Sequence, residues 1–191
     1  MSFENNSQVS FDDEELILVN EKDEEIGYRD KVSTHLGDGI LHRAFSIFIF
    51  NDRGQVLMQK RSDQKTLWPL YWSNSCCSHP RKGESYEVAT RRRLKEELGL
   101  DADLHFLFKF RYQAKFGDIG SEHELCSVYV GKSNDPVTVN PNEIAEWEFM
   151  DIGELEREMK EHPRQFTPWF KMEWERMRRD YWDIIEKIWK N

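Results

Sequence analysis

Hydrophobic and polar positions divide the chain into strand-like and helix-like stretches. Glu15-Leu-Ile-Leu-Val-Asn20 predicts a strand, the acidic run 21–25 a turn, and Ile26-Gly-Tyr28 a returning strand. Residues 42–50 are apolar along nearly their whole length and predict an internal strand. Asp52-Arg-Gly54 is a turn signal, and residues 55–60 predict the second strand of a hairpin. Residues 85–98 contain neither Gly nor Pro, are rich in helix formers and stop at Gly99, a residue suited to ending a helix. Arg92/Glu96 and Arg93/Glu97 stand four apart on that helix, opposite Leu94 and Leu98. Residues 106–115 and 122–130 predict two strands joined by the turn at 116–120. Another strand falls at 147–150, and a short helix starts near Asp151. From Trp169 to Trp189, apolar residues recur at Phe170, Trp174, Met177, Tyr181, Ile184 or Ile185, and Ile188, a spacing that places them on one face of a long helix. The sum is an α/β (α+β) fold: a mixed β-sheet sandwich flanked by helices, with a long amphipathic C-terminal helix.

At 191 residues the chain suits one domain. No repeat or linker divides it, so a single domain is expected over 14–191, preceded by a flexible acidic lead-in over 1–13. With 36 acidic against 27 basic residues the net charge is −9, which argues against nucleic acid or an anionic membrane as partner. There is no apolar run long enough to span a membrane, and the polar start lacks the features of a signal peptide, so a cytoplasmic location is expected. Three cysteines, two of them adjacent at Cys76 and Cys77, predict free thiols rather than a disulfide framework. The charge is uneven: residues 60–95 hold nine Lys or Arg against three Asp or Glu. A small, highly charged anion is therefore still a possible ligand.

The stretch 72–84 sets a thiol, an imidazole, several hydroxyls and two cations within a few residues. In extended chain, Cys77 and His79 share a face. Glu122 and Glu124 project to one face of a strand that continues into the apolar run Leu125-Cys-Ser-Val-Tyr-Val130, where a carboxylate pair needs compensation. With His35, His42 and His79 they form a mixed N/O set suited to Mn, Fe or Zn. His105, His123 and His162 lack such companions and read as structural or surface residues.

The helix after Gly83 carries the most specific pattern. Its Glu84-x7-Arg92-Arg93-Leu94-Lys95-Glu96-Glu97-Leu98-Gly99-Leu100 resembles the Nudix box, whose glutamates hold divalent cations against a substrate diphosphate. Two positions depart from it: Ser78 replaces the leading Gly, and Arg93 replaces a metal-binding Glu. A guanidinium there repels cations and binds diphosphate, which favours holding that group over hydrolysing it. With Leu41-His-Arg-Ala-Phe-Ser46, Trp68-Pro, Trp72-Ser-Asn-Ser-Cys-Cys-Ser-His-Pro80, Arg111-Tyr112, Glu122-His-Glu-Leu-Cys126 and Phe166-Thr-Pro-Trp169, the chain resembles the type I isopentenyl-diphosphate isomerases, Nudix-fold enzymes, over residues 16–172.

The resemblance implies interconversion of isopentenyl and dimethylallyl diphosphate, a step of isoprenoid biosynthesis, by protonation and deprotonation through a tertiary carbocation. It makes Cys77 the catalytic thiol and places His35, His42, His79, Glu122 and Glu124 at a Mn2+ or Zn2+ site. Mg2+ arriving with the diphosphate falls to Glu97. Cys77 and Glu124 become the acid–base pair, with Tyr112 beside Glu124 and Trp169 stabilising the cation, and Trp72 as a second wall. Lys31, Arg61, Lys65 and Arg93 match the family's diphosphate contacts, and Ser78 adds a donor. The implied partner is a small allylic or homoallylic diphosphate, and a monomer is expected. Two rivals follow from the same pattern: a Nudix pyrophosphohydrolase, which Arg93 opposes, and a non-enzymatic sensor of a diphosphate ligand, which would not need acid–base groups.

Overall fold

The apolar run at 42–50 forms β3 (His42–Phe50), the centre of a mixed sheet of nine strands among the described residues, 6–190, of a computed structural model. Buried on both faces, β3 has no use for alternating polarity. One edge pairs in parallel with β8 (Gly120–Lys132), in register from His42↔Glu124 to Phe50↔Lys132. The other edge is shared along its length by β1 (Glu15–Val19), β6 (Cys76–Ser78) and β4 (Val56–Arg61). β2 (Glu25–Asp30) pairs with β1, and β7 (Leu104–Phe116) with β8. β5 (Trp72–Ser73) and β9 (Ile144–Met150) both pair with β4.

The predicted hairpin at 42–60 is only half present. Its turn forms, with Asn51 Oδ1 accepting from the amides of Arg53 and Gln55, but β3 and β4 share the single pair Phe50↔Val56 and then diverge. The edge of β3 that a hairpin would use is taken by β6 and β1, while β4 pairs with β9. The short strands β5 and β6 and the five-residue helix α1 (Lys31–His35) carry no periodicity that the sequence pattern could register.

Successive residues of β3 face opposite sides of the sheet. Phe45, Ile47 and Ile49 pack with Cys76 against Leu94 and Leu98 of α2 (Tyr86–Leu98). This helix is capped by Ser85, whose side chain accepts from the Val88 amide, and ends at Gly99 with φ 68°. Ala44, Phe48 and Phe50 face the other way, with Cys126, Val128 and Val130, towards the C-terminal helices. There α3 (Ile152–Glu161) is followed by α4 (Pro168–Arg176), a π-helical turn (Met177–Tyr181) and α5 (Trp182–Lys190), continuous as expected from the spacing. The wider π turn selects Ile185 over Ile184 for the core: Ile185 is fully buried and Ile184 is 49% exposed. Phe170, Met177 and Ile185 each contribute about 1.5–3 kcal/mol by burial.

Over residues 6–13 the N-terminal lead-in is mostly exposed and forms no helix or strand, but it is tied down at Val9. Val9 is buried, and its carbonyl accepts hydrogen bonds from both Arg81 and Arg93. The two cations need acceptors, and the passing main chain supplies them. Residues 1–5 of the lead-in lie outside the described residues.

Candidate active site

Strand register assembles the site. His42 of β3 lies opposite Glu124 of β8, and Glu124 lies opposite Tyr112 of β7, so three polar side chains form one row across the sheet. Four residues along β3, Ser46 pairs with Cys77 of β6. His79 follows directly after β6, and α1 brings in His35. That approach depends on Gly120, where a Cβ would sit 2.6 Å from the His35 carbonyl oxygen.

The ligand atoms of His35, His42, His79, Glu122 and Glu124 all lie within 4.8 Å of one another. The Nδ1 atoms of His35 and His42 lie 2.6 and 2.7 Å from the carbonyl oxygens of Lys31 and Ile40, which fixes the proton on Nδ1 and turns an Nε2 lone pair inward. Buried His42 Nε2 has no hydrogen-bond partner. His35 Nε2 stands 2.9 Å from Glu122 Oε2, yet the two are misaligned for a hydrogen bond and that oxygen is otherwise unpartnered. Lone pairs converging in a buried space fit a divalent cation. The electrostatics agree. Burial, with the charge of His35, pushes His42 down to about 3, so it stays neutral and able to ligate. Burial alone would raise Glu122, but the three imidazoles, His35 foremost, hold it below the usual carboxylate range. Burial and the Glu122 charge push Glu124 well up.

His35, His79, Glu122 and Glu124 line a cleft of about 740 Å³ together with Cys77, Ser78, Tyr112 and Trp169, and His42 lies buried behind them. Tyr112 donates to Glu124 Oε2 at 2.6 Å, and His79 Nε2 lies 3.0 Å from Glu124 Oε1. Cys77 is half-buried and in contact with the cleft, whereas Cys76 is wholly buried on the α2 side. Burial pushes the Cys77 thiol up to about 12, opposed in part by Arg61, whose Nη1 is 3.8 Å from the sulfur. Arg61 is itself held by the carbonyls of Leu67 and Trp68 at 3.0 Å. Trp68 adopts φ 47°, a strained conformation for a bulky residue. Leu67 beside it lines the cleft, and the Trp68 ring packs edge-on against Trp169, 5.3 Å between centroids. One face of Trp169 carries the Arg61 guanidinium, 5.2 Å from its centroid, and its Nε1 donates to Ser73 Oγ.

Lys31, Lys65 and Arg93 form the basic end of the same cleft. Arg93 is buried, bonded through Nε and Nη2 to Glu97 and through Nη2 to Glu143 at 3.0 Å. Its own burial opposes the charge, but Glu97 and Glu143 hold its pKa above the usual arginine range. Glu143, absent from the sequence-predicted set, also pairs with Lys65. Burial would raise its carboxyl, but Lys65 and Arg93 bring it down to about 2. The segment Asn140-Pro-Asn-Glu143 reads as a plain turn, so only topology reveals that Glu143 ties two cations together. Glu97 stands apart from the His/Glu cluster and from the cleft lining, with Oε1 engaged by Arg93. Trp72 does not line the cleft either; its ring lies beneath Lys60, 5.9 Å from the ammonium.

Fold and site together define a Nudix protein, and the NUDIX domain model matches residues 40–170. A protein from Deinococcus radiodurans, DR0079, superposes with a TM-score of 0.64 at 27% identity, over 78% of this chain and 90% of that one. The MutT protein from Methanosarcina mazei Go1 shares the fold with a TM-score of 0.59 at 17% identity, over 73% and 94%. Among curated relatives, isopentenyl-diphosphate Delta-isomerase 1 from Photorhabdus laumondii is 42% identical over 90% of this chain and 99% of its own length. The isopentenyl-diphosphate Delta-isomerase from Serratia proteamaculans is 45% identical over 83% and 88%. The chain belongs to the isopentenyl-diphosphate Delta-isomerase family. No helix among the described residues is long and apolar enough to cross a membrane.

Proposed function

We propose that the protein interconverts isopentenyl and dimethylallyl diphosphate by adding a proton at one carbon and removing one from the carbon two bonds away. The observation that carries this reading is the meeting of Cys77, Tyr112 and Glu124 with Trp169 in one cleft that also has a basic end. A thiol whose pKa is about 12 stays protonated at neutral pH and can deliver its proton to the alkene. Glu124, paired with Tyr112, receives the proton released from the neighbouring carbon, and the roles exchange in the reverse direction. Between the two transfers the tertiary carbon is cationic. The aromatic face of Trp169 stabilises it by about 2 kcal/mol when desolvated.

His35, His42, His79, Glu122 and Glu124 would hold a divalent cation, Mn2+ or Zn2+ by donor type. A bound ion supplies a fixed positive charge that keeps the Glu124 carboxylate ionised and oriented. Lys31, Arg61, Lys65 and Arg93 grip the diphosphate, with Ser78 as a further donor, and anchor a hydrocarbon that offers little else to hold. Mg2+ accompanying the diphosphate would use Glu97, whose Oε1 is already engaged by Arg93.

Incubation with isopentenyl diphosphate and Mg2+ in D2O should give deuterated dimethylallyl diphosphate without phosphate release. Phosphate release would instead identify a hydrolase, and binding without turnover a sensor. Cys77→Ala and Glu124→Gln should each lower turnover by about 10²–10⁴-fold, the range of a lost proton-transfer group.

A further inference from the structure

We propose that residues 6–12 form a strap across the diphosphate end of the cleft, restricting the ligand to a terminal diphosphate with no second organic group; this rests on the diphosphate reading above. The strap is anchored at successive points. Asn142 Nδ2 donates to the Asn6 carbonyl at 3.0 Å and Asn140 Nδ2 to the Ser7 carbonyl at 2.7 Å. The Val9 carbonyl accepts from Arg81 Nη2 at 3.0 Å and Arg93 Nη1 at 2.9 Å, and the Val9 side chain is buried. Ser10 Oγ is 3.3 Å from Arg93 Nη2. Beyond the strap, Glu14 pairs with Arg81 and stands 3.9 Å from Lys31.

The strap therefore lies against the same guanidinium, and against the same 140–143 turn, that gather the cations of the basic end. Asn6, Gln8, Ser10 and Asp12 line the cleft itself. A ligand whose hydrocarbon sits by Tyr112 and Trp169 points its outer phosphate at this segment. A diphosphate substituted at both ends must lift the strap, giving up the seat of Val9 and charge-assisted bonds to its carbonyl. A terminal diphosphate fits without that loss, and Ser10 can turn its hydroxyl towards it. Discrimination then comes from a built-in obstacle and not only from better contacts.

The test is titration of the full-length, metal-loaded protein, in the presence of Mg2+, with inorganic pyrophosphate and with ADP-ribose, a diphosphate esterified at both ends. Wild type should bind pyrophosphate about 100-fold more tightly than ADP-ribose. Val9→Asp, which places a charge in the strap's apolar seat, should tighten ADP-ribose about tenfold and alter pyrophosphate less than about threefold. Arg81→Ala removes an anchor at a partly exposed position and should act in the same direction, which carries the test if Val9→Asp does not fold. Equal affinity of wild type for the two ligands, or an unchanged preference in the folded variants, overturns the strap while leaving the diphosphate reading intact. Failure of wild type to bind pyrophosphate overturns both.

Discussion

At the His/Glu end of the cleft, two buried atoms, His42 Nε2 and Glu122 Oε2, have no hydrogen-bond partner, whereas at the Arg93 end a buried guanidinium is fully engaged by Glu97, Glu143, Val9 and Ser10. Buried polar atoms without partners are costly, so the first end is stable only in company with a charge from outside. The second end is complete in itself, and a ligand there must exchange with partners already in place. The contrast teaches that an incomplete site points to an ion directly, while a complete one conceals its ligand behind internal ion pairs.

Truncation at the completed end should therefore be the more damaging to stability. Arg93→Ala leaves Glu97 buried without its cation and Glu143 with Lys65 alone, and should cost about 3–5 kcal/mol in a denaturant titration. A loss below about 1 kcal/mol would mean that this end is no more self-sufficient than the other.

Glu173 sharpens the comparison as a buried acid with no cation at all. It sits on α4 four residues after Trp169, with Oε1 3.6 Å from Cys126 Sγ and Oε2 unpartnered. Burial raises its pKa from 4.5 to about 8, moderated by hydrogen bonds to Ser46 and Cys126. Between those values the folded chain holds a proton that the unfolded chain has released, so stability must fall as pH rises. From pH 5 to pH 8 that loss is about 3 kcal/mol. Glu173→Gln should remove the slope, making the variant the more stable protein above pH 8; parallel melting curves for the two across that range would refute the assignment.

The difference between the two ends also explains what the sequence could convey. The His/Glu end was legible because its chemistry is carried by unusual residues in short patterns: Glu122 and Glu124 two apart on a strand, and Cys77 and His79 two apart beside it. Of the long elements, α2 was legible from its helix formers and the Gly99 stop, β7 and β8 from two strand-like runs around a turn, and the C-terminal helix from apolar spacing sustained over many residues. Glu143, Arg81 and the strap were not, because a charged residue in a turn looks the same whether it meets water or a buried arginine. The hairpin is cut short for a related reason: a turn signal is local, whereas the claim of β6 and β1 on the edge of β3 that β4 would use is decided by segments distant in the chain.

The incomplete end makes its own prediction. Protein stripped by a chelator should gain about 2.7 kcal/mol of stability when Mn2+ or Zn2+ is added at 100 times its Kd. Glu122→Gln, which removes one ligand charge, should shift the required metal concentration upward. An unchanged melting temperature on metal addition would break the contrast at its root.

The smallest effect falls on the neighbouring thiols, which the alternation of β6 assigns to different sides of the sheet. Cys76 is wholly buried with Leu94 and Leu98, and burial together with nearby Glu97 keeps its thiol far from ionising. It behaves as a small apolar side chain, so Cys76→Ala should cost about 1 kcal/mol of stability and leave turnover at the wild-type level. Cys77 borders the cleft, and there the same one-atom deletion removes the proton donor itself. Comparing the two variants at equal stability isolates the chemistry from the packing: a Cys76→Ala protein that folds normally yet fails to turn over would move the proton donor to the other face of β6.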